Sequence, residues 1–124
     1  MKQISTGSPF ETSMGYSRAI IKSGWCFVSG VTGYDYTTME IPVSAAAQTR
    51  NCFATIANVL TEAGFKMNDI VRVQYTVADV SLVEDIVPEL GAALSDIRPA
   101  ATMVIAGLIR PEMKIEIEVT AFKG

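Results

Sequence analysis

Apolar and polar positions change their spacing several times along the chain. Ser17 to Lys22 and Trp25 to Ser29 are short runs rich in residues that suit a pleated sheet. Ser23-Gly24 lies between them, and the three segments together predict a β-hairpin. Gly30 to Pro42 keeps no period and reads as a loop with room for a bulge or a short strand. From Val43 to Ala63 the apolar spacing lengthens to that of a helix: Ala46, Phe53, Ile56, Leu60 and Ala63 share one face, while Gln48, Arg50, Asn58 and Glu62 keep the rest polar. Gly64 follows as the stop. The period then drops to two. Val71, Val73, Tyr75 and Val77 alternate with Arg72, Gln74 and Thr76, predicting a strand over Ile70 to Ala78. Ser81-Leu82-Val83-Glu84 has the form of a capping box and opens a second helix. Its stripe is Val83, Ile86, Val87, Leu90, Ala93, Leu94 and Ile97, with Pro88 inside it predicting a kink or a restart. Ala100 to Ala106 is apolar on both faces, and Lys114 to Phe122 alternates again.

Strands interleaved with two helices give an α+β layer, with the helices on one face of a mixed sheet. Two helices leave the other face of Ala100 to Ala106 without cover, and self-association into a dimer or closed ring would supply it. The length of 124 residues fits one domain, 1–124, and 49% apolar against 19% charged content is enough for a packed core. Ten basic against thirteen acidic residues leave a net charge of −3, which disfavours a phosphate-backbone partner. The absence of His removes the Ser-His-Asp and Cys-His nucleophilic arrangements and the commonest metal ligand, so no metal site is expected. Cys26 and Cys52 read as buried small apolar residues rather than a disulfide framework. No apolar stretch approaches the length of a membrane span and no apolar run follows Met1, so a cytoplasmic protein is expected.

Several segments resemble the RidA/YjgF/YER057c/UK114 (Rid) family. Gln48 to Gly64 ("QTRNCFATIANVLTEAG") and Val71 to Val80 ("VRVQYTVADV") carry the resemblance through the centre of the chain. Gly15 to Ile20 ("GYSRAI") is similar to the family's P-Y-S-x-A-[IV] segment, and Phe27 to Gly30 ("FVSG") to its F-x-S-G strand end. Arg98 to Val104 ("RPAATMV") and Lys114 to Ala121 ("KIEIEVTA") fall where its C-terminal signature lies. The resemblance implies a chorismate-mutase-like α+β fold, a homotrimer with sheets packed inward, and a small-molecule cleft between subunits. It also implies hydrolysis of reactive enamines and imines without a cofactor. The family's P-A-R triplet supplies an arginine that forks onto a substrate carboxylate. Here the triplet is Pro99-Ala100-Ala101, so Ala101 stands in the arginine's place. Glu116, in "KIEIE", matches the glutamate that positions or activates water, and Tyr16 and Ser29 match the cleft tyrosine and serine. Glu84 falls where the family often has a cleft asparagine.

Each candidate also has a plainer role. Glu116 shares a polar strand face with Glu118, Glu84 completes a capping box, Tyr16 packs at an interface, and Ser29 satisfies a turn. Arg18, Arg98 and Arg110 could each supply a guanidinium in its stead, and the sequence places none of them there. Two functions follow: a Rid-type hydrolase of a small imine or enamine that lacks the usual carboxylate anchor, or a trimer that binds a small metabolite without turnover. Action on RNA has little support in an acidic chain with no basic-aromatic patch.

Overall fold

The hairpin at the N-terminal side is where the sheet begins to organise. Ser23 and Gly24 both adopt positive φ (52° and 86°), which carries the chain tightly from Lys22 to Trp25. The computed structural model describes all 124 residues. In chain order they form β1 (Lys2–Ile4), α1 (Pro9–Met14), β2 (Ala19–Lys22), β3 (Trp25–Thr32), α2 (Ala45–Ala63), β4 (Ile70–Val77), α3 (Val83–Leu94), β5 (Ala100–Ile105) and β6 (Ile115–Phe122). One six-stranded sheet takes the order β1-β2-β3-β6-β4-β5. Only β4 and β5 run parallel, as a strand–helix–strand crossover through α3 requires. Every other pairing is antiparallel.

The strand alternation decides which face is dry. Val73, Tyr75 and Val77 of β4 and Ile115, Ile117 and Val119 of β6 are buried beneath the helices, together with Ile56 and Leu60 of α2 and Ile86 of α3. The opposite face carries Arg72, Glu118, Trp25, Phe27 and Phe122, all exposed, the three aromatics gathered at one end. On β5 only Met103 is half-buried, and Val104 and Ile105 remain exposed on their respective faces. The two-sided apolar strand is therefore an uncovered edge in the single chain.

Several details depart from the sequence-based expectations. The N-terminal stretch forms β1 and α1, neither of which its Ser/Thr/Gly-rich composition announces. Strand β3 continues through Gly30 to Thr32 instead of ending at Ser29, crossing a register shift between Val28 and Val31. Gln48, placed on the polar face by helical spacing, is 1% exposed. Its amide donates to the carbonyls of Pro42 (2.8 Å) and Glu112 (2.9 Å) and accepts from Lys114 N–H (2.9 Å), so two loops close on α2 through one side chain. The Ser81–Glu84 capping box is absent: Asp79 caps a 3₁₀ turn at Val80–Leu82 by accepting from Ser81 N–H, and α3 follows with no side-chain cap. Glu84 is an exposed first-turn residue. Helix α3 runs unbroken through Pro88, and Val87 is exposed.

Gly33 lets α2 approach the end of β3. A Cβ there would lie 2.5 Å from Gln48 Cβ and 2.7 Å from its Cα, so backbone would have to move. Gly33→Ala is expected to destabilise the fold by about 1–3 kcal/mol, read as a lower urea midpoint.

Candidate functional site

The β3 register shift builds the site. At a bulge the ladder breaks and the carbonyls beside it need other partners. Arg18, just before β2, provides them: Nη1 donates to the carbonyls of Ser29 (3.2 Å) and Gly30 (2.8 Å). Backbone bonds tie the same point to the sheet edge, with Arg18 N–H donating to Ile4 and Ser29 N–H donating to Arg18. The Ser29 hydroxyl donates to the Ser17 carbonyl (2.7 Å), so its hydrogen is used within the fold and its lone pairs stay available.

Beyond the shift, Thr32 pairs with Glu116 of β6. Glu116 lies on the helix-free side of the sheet, as its alternation with Ile115 and Ile117 predicts. Its carboxyl rests against the bare Cα of Gly30, where a Cβ would sit 2.5 Å from Glu116 Cδ. Tyr16, Ser29, Gly30, Thr32, Tyr36 and Glu116 thus line one recess of about 330 Å³, closed on its apolar side by Phe10, Met14, Ile109 and Met113. The Tyr36 hydroxyl is occupied by Thr32, accepting from its N–H (3.0 Å) and sharing a hydrogen with its Oγ1 (3.1 Å).

Three of the five candidate residues, Tyr16, Ser29 and Glu116, therefore meet in one recess. Ala101 and Glu84 do not line it. Ala101 pairs with Val73 on the helix side and borders a groove of about 490 Å³ with Leu90, Leu94 and Arg98, and Glu84 stands exposed at the start of α3. Another depression of about 370 Å³ lies between α2 and the loop at Tyr34–Thr37. Its polar groups are largely spent internally: Thr6 donates to Glu11, Asn51 to the Gly33 carbonyl, and Asp35 accepts from Thr37.

Burial raises the Glu116 carboxyl above its ordinary range, Glu118 adds to the rise, and the Arg18 charge opposes it. Burial also raises the Tyr16 phenol, despite Arg18, and keeps it protonated at neutral pH. Cys52 lies behind the recess, buried and donating to the Val31 carbonyl (3.3 Å). Burial, with the Glu116 charge second, pushes its thiol far up, and burial raises Cys26 too, so neither is a ready nucleophile. The chemistry available is a poised carboxyl, a phenolic hydroxyl and a serine acceptor facing an apolar wall. No group of His, Cys, Asp and Glu side chains is arranged to hold a metal ion. No helix is long and apolar enough to cross a membrane.

Comparison with known proteins gives this site its context. The family described as Endoribonuclease L-PSP matches residues 6–123. A RutC family protein of Leuconostoc mesenteroides subsp. cremoris is 34% identical over 98% of each chain. A mitochondrial protein, mmf1, of Schizosaccharomyces pombe is 31% identical, covering 94% of this chain and 74% of its own. Among solved structures, a YjgF/YER057c/UK114 family member from Mycobacterium tuberculosis superposes with a TM-score of 0.89 at 34% identity, over 98% of both chains. The E. coli YjgF product superposes with a TM-score of 0.86 at 26% identity over 100% of both chains. With the two helices over one face of its sheet and a recess on the other, this chain belongs to the YjgF/YER057c/UK114 family, whose α+β fold it shares.

Because the folded-state Glu116 carboxyl is raised, folding takes up a proton between the unfolded and folded midpoints. The stability this group contributes therefore grows as pH falls through that window and is lost as pH rises through the folded midpoint. Glu116→Gln is expected to melt above the parent chain at neutral pH, with the gap narrowing as the solution is acidified. Thermal unfolding across a pH series checks both.

Proposed function

We propose that this chain hydrolyses a small imine or enamine in the Glu116 recess, with no cofactor and with a neighbouring copy in a homotrimer closing the cleft. The observation that carries the reading is the Glu116 carboxyl: half-buried, raised by burial, and lodged against the bare Cα of Gly30 with no side-chain hydrogen bond within the chain. A carboxyl in that state can take a proton from water and return it. Water attacks the imine carbon as Glu116 takes one of its protons and passes it to the nitrogen, giving a neutral carbinolamine. Glu116 then takes the carbinolamine hydroxyl proton and delivers it to the nitrogen, the C=O bond forms as the C–N bond breaks with its electron pair on nitrogen, and the products are a carbonyl compound and ammonia. In this reading Tyr16, which lines the recess, orients the substrate by hydrogen bonding, and the Ser29 oxygen accepts from its nitrogen.

The trimer reading draws support from two features. Trp25, Phe27 and Phe122 lie open on the helix-free face, and Val104 and Ile105 on the β5 edge. Ala101 and Glu84 lie away from the recess of their own chain, so they join such a site only if a second copy brings them there. Ala101 also bears on substrate choice. A methyl group offers no fork for a carboxylate, so we infer preference for imines without one. The same residue favours the second reading, a metabolite-binding trimer that holds its ligand without turnover.

Imines made in situ from primary amines by an amine oxidase, and from amino acids by an amino-acid oxidase, form a direct panel. Carbonyl release above buffer is expected with the amine-derived set, and Glu116→Gln is expected to lower kcat by about 100-fold or more. Ligand-dependent thermal stabilisation without product release would favour the binding reading instead. Sedimentation is expected to give three chains per particle, and a lone subunit in dilute buffer would remove the cleft on which both readings depend.

A further inference from the structure

Arg18 is the buried charge that the hydrolytic reading leaves unused. An arginine guanidinium carries its charge at any ordinary pH. Placing such a group in a dry interior costs several kcal/mol unless neighbours offset it, and an apolar side chain of similar volume often does as well or better for stability. Arg18 is 1% exposed. Beyond the two bulge carbonyls, Nη2 lies 3.5 Å from the Tyr16 hydroxyl, and the group stacks over the Tyr36 ring at 5.0 Å and the Tyr16 ring at 5.6 Å. Nε has no hydrogen-bond partner, with Glu11 Oε2 its nearest counter-charge at 3.9 Å. The guanidinium therefore lies directly under the floor of the recess, fixed from several sides with part of its donor capacity unspent.

The floor it holds is the one Glu116 rests on. Arg18 grips the Gly30 carbonyl, and Gly30 is the shelf for the Glu116 carboxyl. The other titratable groups facing or neighbouring that carboxyl are Glu118 on its own strand, Tyr16 and Tyr36 in the recess wall, and Cys52 of α2 behind the sheet. Of the cations nearby, Arg110 lies over the Phe10 ring at 5.1 Å and Lys114 donates its ammonium to the Val43 carbonyl, so Arg18 is the one whose charge bears on that carboxyl. We propose that Arg18 is the positioning residue of this site: it pins the Ser29–Gly30 bulge as the seat of Glu116 and sets a fixed positive charge beneath that carboxyl. Glu11 is the counter-ion that moderates Arg18. The inference rests on Glu116 being the working group of the recess.

The charge opposes the burial and the Glu118 repulsion that favour the protonated form. Removing it while keeping the side-chain volume therefore drives the Glu116 midpoint upward. Loss of structure does the opposite, because a loosened floor lets water in and returns the carboxyl towards its ordinary range. The direction of the shift thus separates an electrostatic role from a merely structural one.

The experiment is a carbon-detected NMR titration of the glutamate carboxyls in the full chain, with Glu116 assigned by its loss in Glu116→Gln. Arg18→Met is expected to raise the Glu116 midpoint by about one pH unit or more. Arg18→Lys, which keeps the charge, is expected to stay near the parent value. Glu11→Gln, which frees the Arg18 charge from its counter-ion, is expected to lower the midpoint. A midpoint that stays put or falls in Arg18→Met overturns the proposal. If Arg18→Met does not fold, Glu11→Gln decides, and an unmoved or raised midpoint in that variant overturns the proposal. The readout needs no turnover, so an absence of hydrolase activity and a failure of this inference are separate results.

Discussion

The structure depends on a one-sided burial. Two helices cover one face of a six-stranded sheet, and that face holds nearly all the dry apolar surface of the chain. At roughly 25 cal/mol per Å², burial of this kind is the main force holding the domain together. Strand alternation then forces a complementary set of residues to the uncovered face. Glu116 projects there because Ile115 and Ile117 project the other way. The candidate site is thus a by-product of where the core lies, refined by local departures from regularity.

Those departures are concentrated at one point. A register shift in β3 opens the ladder, Gly30 removes the side chain that would collide with Glu116, and Arg18 takes up the carbonyls. An isolated bulge would leave polar groups unpaired in a dry place. An isolated buried guanidinium would be more costly still. Each makes the other tolerable. The result is a rigid floor with a carboxyl on it, which a regular strand crossing would not provide.

The same economy explains what the single chain leaves open. The recess has one polar side and one apolar side, while Ala101 and Glu84 border other surfaces. The family fold is shared with proteins as distant in sequence as the E. coli YjgF product at 26% identity, so the framework persists through wide change in sequence. In this chain the lining is acidic and aromatic, with its one cation held out of sight beneath.

Much of this was present in the residues themselves. The period-two runs at Val71–Val77 and Ile115–Val119 state which side chains go inward, because a strand can face a core on one side only by alternating. The Ser23-Gly24 turn and the Gly64 stop are likewise local, set by backbone conformations that few residues adopt. Gln48 and Arg18 show what was not legible. Both are polar, both occupy positions that helix or strand spacing treats as ordinary, and both are almost fully buried because distant loops and a bulge bring them hydrogen-bond partners. The capping box at Ser81 is absent for a local reason: its spacing is right, but Asp79, two residues upstream, accepts from the Ser81 N–H instead. Periodicity reports the average environment of a face. The order of residues alone therefore settles five of the six strands, the two long helices and the side of the sheet on which Glu116 stands. The partners of individual polar groups, and hence the floor of the recess, were set only when segments far apart in the chain closed on one another.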